Sequence, residues 1–120
     1  MSHTFKLGKY YIGDLGYVLT NDNWNELLNE TNYLTNEVPE FKGTTIFVTN
    51  NTYGDGTYED NFKRKYSIDS GSIGIIPVEI LDKNTKLGHI IDFRKDFEVG
   101  VDNGIFFCDN LKIQIRPSDY

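Results

Sequence analysis

The chain has 120 residues, 38% of them hydrophobic, and its 12 basic and 18 acidic side chains give a net charge of −6. This length is typical of one domain, here taken as residues 1–120, and it suffices to bury a core without metal or disulfide support. A single cysteine excludes an internal disulfide and cysteine-rich zinc sites, and the acidic balance argues against binding to nucleic acid or to an anionic membrane.

The excess of negative charge lies in the first half of the chain. Residues 1–60 contain three lysines and nine acidic residues, whereas residues 61–120 contain nine basic and nine acidic residues. Such a surface permits a basic partner, including a protein that normally holds nucleic acid; the alternative is that the net charge serves only solubility. The N-terminus lacks the pattern of a signal peptide, and no apolar run approaches the roughly 20 residues that span a bilayer. We therefore expect a cytoplasmic protein without membrane contact.

One segment has the periodicity of an amphipathic helix. Trp24 and Leu28 fall on the same face of a helix with 3.6 residues per turn. Thr20 or Asn21 can cap its first turn, because their side chains accept hydrogen bonds from free backbone N–H groups. Several asparagines lower its intrinsic stability, so the helix depends on packing. We predict one α-helix over about residues 21–34, packed against a sheet.

The rest of the chain has the pattern of short strands separated by turn residues. The predicted strands are residues 5–12, 16–19, 44–50, 58–62, 66–69, 72–81, 89–93, 97–101, 105–108 and 111–115. Residues 63–65 form a charged hairpin turn, and Asn103 with Gly104 favours a two-residue turn. Pro77 within its strand indicates an edge or a bulge. The pattern predicts a mainly β fold: an antiparallel β-sandwich or partly open barrel with one packed α-helix.

The glycine-rich stretch 51–74 holds the motifs with the most chemical content. Asp55 next to Gly56 suggests a calcium loop, but a twelve-residue loop that starts at Asn51 would place Tyr53 and Phe62 at ligand positions. Neither side chain supplies the required oxygen. We therefore predict no metal site and no cofactor.

The same stretch contains a serine that resembles a nucleophile. Ser72 lies one glycine short of the nucleophile elbow, and an apolar strand follows it where the elbow requires a helix. A carboxylate pair about 5–9 Å apart could act in acid–base catalysis, but the sequence does not give that distance. A small hydrolase remains an alternative, and its candidate residues are Asp14, Asp55, Asp69 and His89.

Tyrosines beside glycine and aspartate form the main candidate binding surface. Tyrosine provides contact area at low entropy cost and forms hydrogen bonds at its tip. A cluster of tyrosine, aspartate and basic residues can hold a nucleotide or another polar small molecule. The candidate binding residues are Asp14, Tyr17, Tyr53, Asp55, Tyr58, Lys63, Arg64, Lys65, Asp69 and His89. No catalytic residue is predicted.

Four segments resemble a group of small uncharacterised proteins from phages and bacteria. They are 11-YIGDLGYVL-19, 54-GDGTYED-60, 69-DSGSIG-74 and 92-DFRKDFEVGVDNG-104. The shared motifs are IGD-x-x-YV, GDGTY and DSG-x-IG, and the resemblance covers about residues 10–108. Here Ile68 replaces an expected valine, and Gly16 replaces a cysteine or another small residue. The resemblance implies a phage or mobile-element accessory protein, and it carries over no functional residue because the group has no assigned activity.

These observations predict a non-catalytic binding protein. Its expected partner is a host protein, with host-defence proteins among the target classes, or a small polar ligand such as a nucleotide. The alternatives are the small hydrolase and a structural virion component. A homo-oligomer is compatible with each of these functions.

Overall fold

The computed structural model describes residues 2–31 and 40–117. Within them lie twelve strands, one α-helix and two 3-10 helices. The strands are β1 (Ser2–Phe5), β2 (Gly8–Gly13), β3 (Glu40–Phe41), β4 (Thr44–Thr45), β5 (Phe47–Asn50), β6 (Gly56–Glu59), β7 (Lys65–Ile68), β8 (Ser72–Pro77), β9 (His89–Phe93), β10 (Phe97–Asp102), β11 (Ile105–Cys108) and β12 (Leu111–Gln114). The helix α1 spans Asn21–Glu30, and the 3-10 helices span Leu15–Tyr17 and Val78–Ile80.

Two four-stranded antiparallel sheets form the body of the fold. Their strand orders are β1-β10-β11-β12 and β5-β8-β2-β9. Aromatic rings from both sheets meet in one buried cluster: Phe47 stacks on Phe106 at 5.9 Å, and Tyr10 contacts Phe97 edge to face at 5.4 Å. The predicted mainly β fold is confirmed, and the sheets formed by the described residues do not close into a barrel.

The hairpin β6–β7 spans one open side of the two sheets. Asp60 forms an isolated bridge with Ile113 on the outer edge of β12. The backbone N–H of Ser67 in β7 donates to the carbonyl of Leu87, just before β9, at 2.9 Å. The hairpin therefore contacts an edge strand of each sheet.

The helix α1 belongs to a second buried cluster on the outer face of the sheet that contains β2 and β8. Leu27 of α1 and Tyr11 of β2 both lie in this cluster. The side chain of Thr20 caps the helix by accepting a hydrogen bond from the N–H of Asn23 at 3.2 Å. The predicted helix is confirmed over residues 21–30, and its predicted end at residues 32–34 lies outside the described part of the chain. No helix within that part has the length and apolar character needed to cross a bilayer.

The predicted strand at residues 16–19 is wrong. A 3-10 helix occupies Leu15–Tyr17, with Val18 as its C-cap. Asp14 caps this helix through a hydrogen bond from the N–H of Gly16 at 2.9 Å. The side chain of Asp14 thus supplies a hydrogen bond that stabilises this turn. The apolar pattern of the sequence alone does not indicate such a turn.

Three further strand predictions need correction. Residues 5–12 form two strands, β1 and β2, and residues 44–50 divide into β4 and β5. The strand predicted at residues 72–81 ends at Pro77, which caps the second 3-10 helix. Because β8 lies between β5 and β2, Pro77 does not mark an edge strand.

The hairpins of the second half agree better with their predictions. β9, β10, β11 and β12 lie within one residue of the predicted ranges. Asn103 and Gly104 have φ values of 52° and 81°, as the predicted two-residue turn requires. The strands β6 and β7 start before their predicted positions, so Lys65 belongs to β7 and not to the turn.

Gly74 in β8 provides a test of this packing. A Cβ atom there would lie 2.5 Å from the carbonyl oxygen of Phe47 and 3.0 Å from Cδ1 of Leu15. Because backbone cannot move aside cheaply, we expect Gly74→Ala to lower the free energy of unfolding in urea by about 2–3 kcal/mol. The control is Gly43→Asn: Gly43 has open space and a φ of 77°, which asparagine tolerates. Equal losses in both variants would contradict the prediction.

Candidate functional site

The carboxylate of Asp14 joins the first 3-10 helix to the turn that precedes β8. Its Oδ1 accepts from the N–H of Gly16 at 2.9 Å and from the hydroxyl of Ser70 at 2.8 Å. Its Oδ2 accepts from the N–H groups of Asp69 and Ser70, each at 2.8 Å. Asp14 is 1% exposed, and four donors occupy the acceptor capacity of one carboxylate. Its role is therefore to position its neighbours.

A small cleft of about 190 Å³ opens above Asp14. Tyr17 of the 3-10 helix and Trp24 of α1 supply its aromatic walls, and the exposed Asp69 lies at its rim. Partial burial raises the pKa of Tyr17, and the negative charges of Asp69, Asp14 and Asp55 raise it further. Two of the predicted carboxylates, Asp14 and Asp69, thus line the cleft together with Tyr17.

A groove of about 460 Å³ lies along β6 and includes Asp55 in its lining. Tyr53, Asp55, Tyr58 and Glu59 line it. Tyr58 is buried and donates its hydroxyl hydrogen to the carbonyl of Gly54 at 2.6 Å, whereas Tyr53 is 52% exposed. Burial raises the pKa of Tyr58, and the charge of Asp55 adds to the rise. Asp55 therefore acts electrostatically on the tyrosines of both depressions.

We call this region the acidic surface. It consists of Tyr17, Trp24, Tyr53, Asp55, Glu59 and Asp69. No lysine, arginine or histidine of the described residues lines either depression. Nor do its three carboxylates form an ion pair within residues 2–31 and 40–117. None of the three carboxylates therefore has an ion-pair partner among the described residues, although Lys65 lies opposite Glu59 in the register of hairpin β6–β7.

Lys63 and Arg64 lie at the tip of hairpin β6–β7, and Lys65 lies opposite Glu59 in the register of the hairpin. Arg64 is not a free cation: its Nε binds Oδ2 of Asp60 at 2.8 Å, and its N–H donates to Oδ1 at 3.0 Å. The hydroxyl of Tyr66 also donates to Oδ2 of Asp60, at 2.7 Å. Lys63 and Lys65 are exposed. Arg64 is therefore committed to the fold of the hairpin, and the two lysines remain accessible.

Asp60 holds the tip of hairpin β6–β7 in place, and its side chain is fully buried. Burial by itself would raise the pKa of Asp60, but hydrogen bonds from Arg64 and Tyr66 and from the N–H groups of Arg64 and Phe62 outweigh it and hold the pKa below its usual value. A buried carboxylate with this many donors is stabilised in its charged form.

His89 lies near the basic residues and not among the carboxylates. Its Nε2 is 2.8 Å from the carbonyl oxygen of Lys65, and its ring meets Tyr66 edge to face at 4.9 Å. The hydroxyl of Ser70 instead binds Asp14 and lies 2.6 Å from that of Ser72. Within the described residues, the serine, histidine and aspartate of the hydrolase alternative do not form one hydrogen-bonded unit.

The structure thus divides the ten predicted residues into two groups. Asp14, Tyr17, Tyr53, Asp55, Tyr58 and Asp69 belong to the acidic surface or lie directly beneath it, and Lys63, Arg64, Lys65 and His89 lie around the tip of the hairpin. Trp24 packs against the second buried cluster, as expected for the apolar face of the helix, and it also lines the cleft. Sequence reasoning did not anticipate this second role or the position of Glu59. The outward position of Glu59 beside the inward Tyr58 follows from strand alternation, so this residue could have been found.

The described residues contain no group of three His, Cys, Asp or Glu side chains arranged to hold a metal ion. Comparisons with protein-family models, curated proteins and solved structures give no match for this chain. The resemblance to small phage and bacterial proteins therefore stays a prediction, and the chemistry of the acidic surface is the basis for a functional proposal.

The role of Asp14 can be tested with Asp14→Asn. An amide keeps only one accepting oxygen, so two of the four donors lose their partner. We expect the free energy of unfolding to fall by about 2–4 kcal/mol, because each buried donor left without a partner costs about 1–3 kcal/mol. Urea denaturation followed by Trp24 fluorescence measures this. Asp69→Asn removes the same charge at an exposed position and should change stability by less than about 0.5 kcal/mol. Similar losses in both variants would contradict the assigned role.

The lowered pKa of Asp60 predicts a dependence of stability on pH. The pKa of Asp60 is lower in the folded protein than in the unfolded chain, so the ionised carboxylate stabilises the fold. This stabilisation is fully present above the unfolded pKa and is lost as pH falls through the folded pKa. We expect Asp60→Asn to be less stable at pH 7 and to show a flatter stability profile between about pH 5 and pH 2. Asp92→Asn, which breaks an exposed pair with Arg94, should keep the wild-type profile. A wild-type slope in Asp60→Asn would refute the assignment.

Proposed function

We propose that this chain is a non-catalytic binding protein whose acidic surface binds a basic segment of another protein. One observation carries the proposal: tyrosines and the exposed carboxylates of Asp55, Glu59 and Asp69 line two depressions, and no described lysine, arginine or histidine lines either. A surface with this excess of carboxylates attracts and orients a positively charged partner.

The side chains of the cleft suit a guanidinium or ammonium group. Tyr17 and Trp24 offer ring faces to a cation, and the exposed carboxylate of Asp69 can accept two parallel hydrogen bonds from an arginine. Tyr53 and Glu59 offer the same combination in the groove. Two basic side chains can therefore bind, one in the cleft and one in the groove.

A nucleotide fits this surface less well than a basic peptide does. Its phosphates would meet the carboxylates of Asp55, Glu59 and Asp69, and like charges at close range are unfavourable. The resemblance to phage and bacterial proteins is the reason for placing the partner in a host cell. A host protein that itself carries a basic surface, such as one that holds nucleic acid, is the partner class that we propose.

A fluorescent peptide with four arginines separated by glycines is a direct probe. We expect the full chain to bind it at about 150 mM salt, and we expect the double variant Asp55→Asn with Asp69→Asn to bind at least about tenfold more weakly, since charge-assisted contacts are lost. Tyr17→Ala should also weaken binding, because it removes a ring face. Fluorescence anisotropy measures each affinity.

A charge-matched control separates this surface from the net charge of the protein. Asp22→Asn with Asp102→Asn removes the same two charges at exposed positions outside the acidic surface. This variant should bind the peptide within about twofold of the wild type. Equal weakening in the two double variants would mean that net charge alone attracts the peptide, and the proposal would then fail.

A further inference from the structure

A further groove of about 520 Å³ lies between β2, β9 and the loop at residues 81–88 that precedes β9. Tyr11, Val18, Leu81 and Ile90 supply its apolar lining. Tyr11 of β2 and Ile90 of β9 are opposite each other in the register of these strands, so both side chains lie on the same face of the sheet. The groove shares no lining residue with the acidic surface. It has the size and the mainly apolar lining of a site for a small ligand.

The loop beside this groove is held at both ends. Near its start, the N–H of Asp82 donates to the carbonyl of Val18 at 2.8 Å. Near its end, the carbonyl of Leu87 accepts from the N–H of Ser67 at 2.9 Å. Because both ends are fixed, less of the loop has to become ordered when a ligand binds, and this lowers the entropy cost of binding.

Lys86 is the one charged residue among the described residues that line the groove. Its side chain is exposed and forms no ion pair within the described part of the chain. Asp82 belongs to the same loop but does not line the groove, and its Oδ2 accepts from the N–H of Thr20 and from Nδ2 of Asn23, each at 2.8 Å. The groove therefore combines apolar side chains with one positive charge.

Two polar side chains, Asn84 and Thr85, line the groove together with Lys86. An asparagine amide can donate two hydrogen bonds, and a threonine hydroxyl can donate one. Oγ1 of Thr85 accepts from the N–H of Leu87 at 3.1 Å, so its hydroxyl hydrogen can still be donated to another acceptor. Together with the ammonium group, these donors suit an anionic group with several accepting oxygens, such as a carboxylate.

We propose that this groove binds an amphiphilic monocarboxylate, such as a medium-chain fatty acid. The apolar chain of the ligand covers Leu81 and Ile90, and its carboxylate binds Lys86. Ile90 is 54% exposed, so a bound chain removes apolar surface from water, and this favours binding. The proposal goes beyond the basic-partner function, because it uses other residues and a ligand of another class.

Other ligand classes match only part of the groove. Inorganic phosphate would bind Lys86 but would leave the apolar side chains uncovered. An alcohol of the same chain length would cover them without the charge-assisted contact. A peptide that ends in leucine offers a carboxylate beside an apolar side chain, but its backbone N–H and C=O groups would then lie against an apolar lining, which is unfavourable.

Decanoate is the probe, and decanol and decylammonium are ligands of matched length and different charge. We expect the full chain to bind decanoate saturably in isothermal titration calorimetry, and to bind the other two at least about tenfold more weakly, because the attraction to Lys86 is lost or reversed. Lys86→Glu should weaken decanoate binding at least about tenfold. Ile90→Ser should weaken it at least about fivefold, since it removes apolar contact area at an exposed position.

Two control variants locate the effect. Lys112→Glu makes the same charge change on β12, outside the groove, and should alter affinity less than about twofold. The double variant Asp55→Asn with Asp69→Asn should keep decanoate binding, so failure of this proposal and failure of the basic-partner proposal are distinguishable. Absence of saturable decanoate binding, equal binding of decanol, equal weakening by Lys112→Glu, or tighter binding of a tripeptide that ends in leucine would each overturn the proposal.

Discussion

The buried carboxylate of Asp14 is the constraint on which the acidic surface depends. It accepts two N–H groups from a turn more than 50 residues away in the chain, and it caps the 3-10 helix that carries Tyr17. Because Asp14 is buried, replacing its carboxylate leaves these N–H groups without their partner, at a cost in free energy. The positions of Tyr17, Asp69 and Trp24 relative to one another follow from this single side chain and from the packing of α1.

The carboxylate of Asp60 fixes the tip of hairpin β6–β7 in a similar way. Its carboxylate, also buried, holds Phe62 and Arg64 at the tip of hairpin β6–β7, and the adjoining Asn61 ties that tip to β12. The acidic surface and the hairpin tip are thus each held in place by one buried aspartate that accepts several hydrogen bonds. Networks of this kind are rigid when every member has its partner, which makes the exposed side chains above them preorganised for binding.

The exposed side chains of the acidic surface differ in chemistry from those at the hairpin tip. The acidic surface places carboxylates beside aromatic rings, and the tip of hairpin β6–β7 exposes Phe62 next to Lys63. His89 and Arg64, which the sequence marks as reactive or binding residues, instead form internal contacts.

Local patterns in the sequence determined much of the fold: the helix over residues 21–30, the turn at Asn103 and the alternation of β12 all depend on neighbours within a few positions. The sequence also pointed to the tyrosine and aspartate turns as the candidate binding region. Only the tertiary structure decided that Asp14 and Asp60 are buried, and that the carboxylates near Tyr17 converge. The physical reason is that side-chain hydrogen bonds and charge clusters form between distant segments, and periodicity describes one segment at a time.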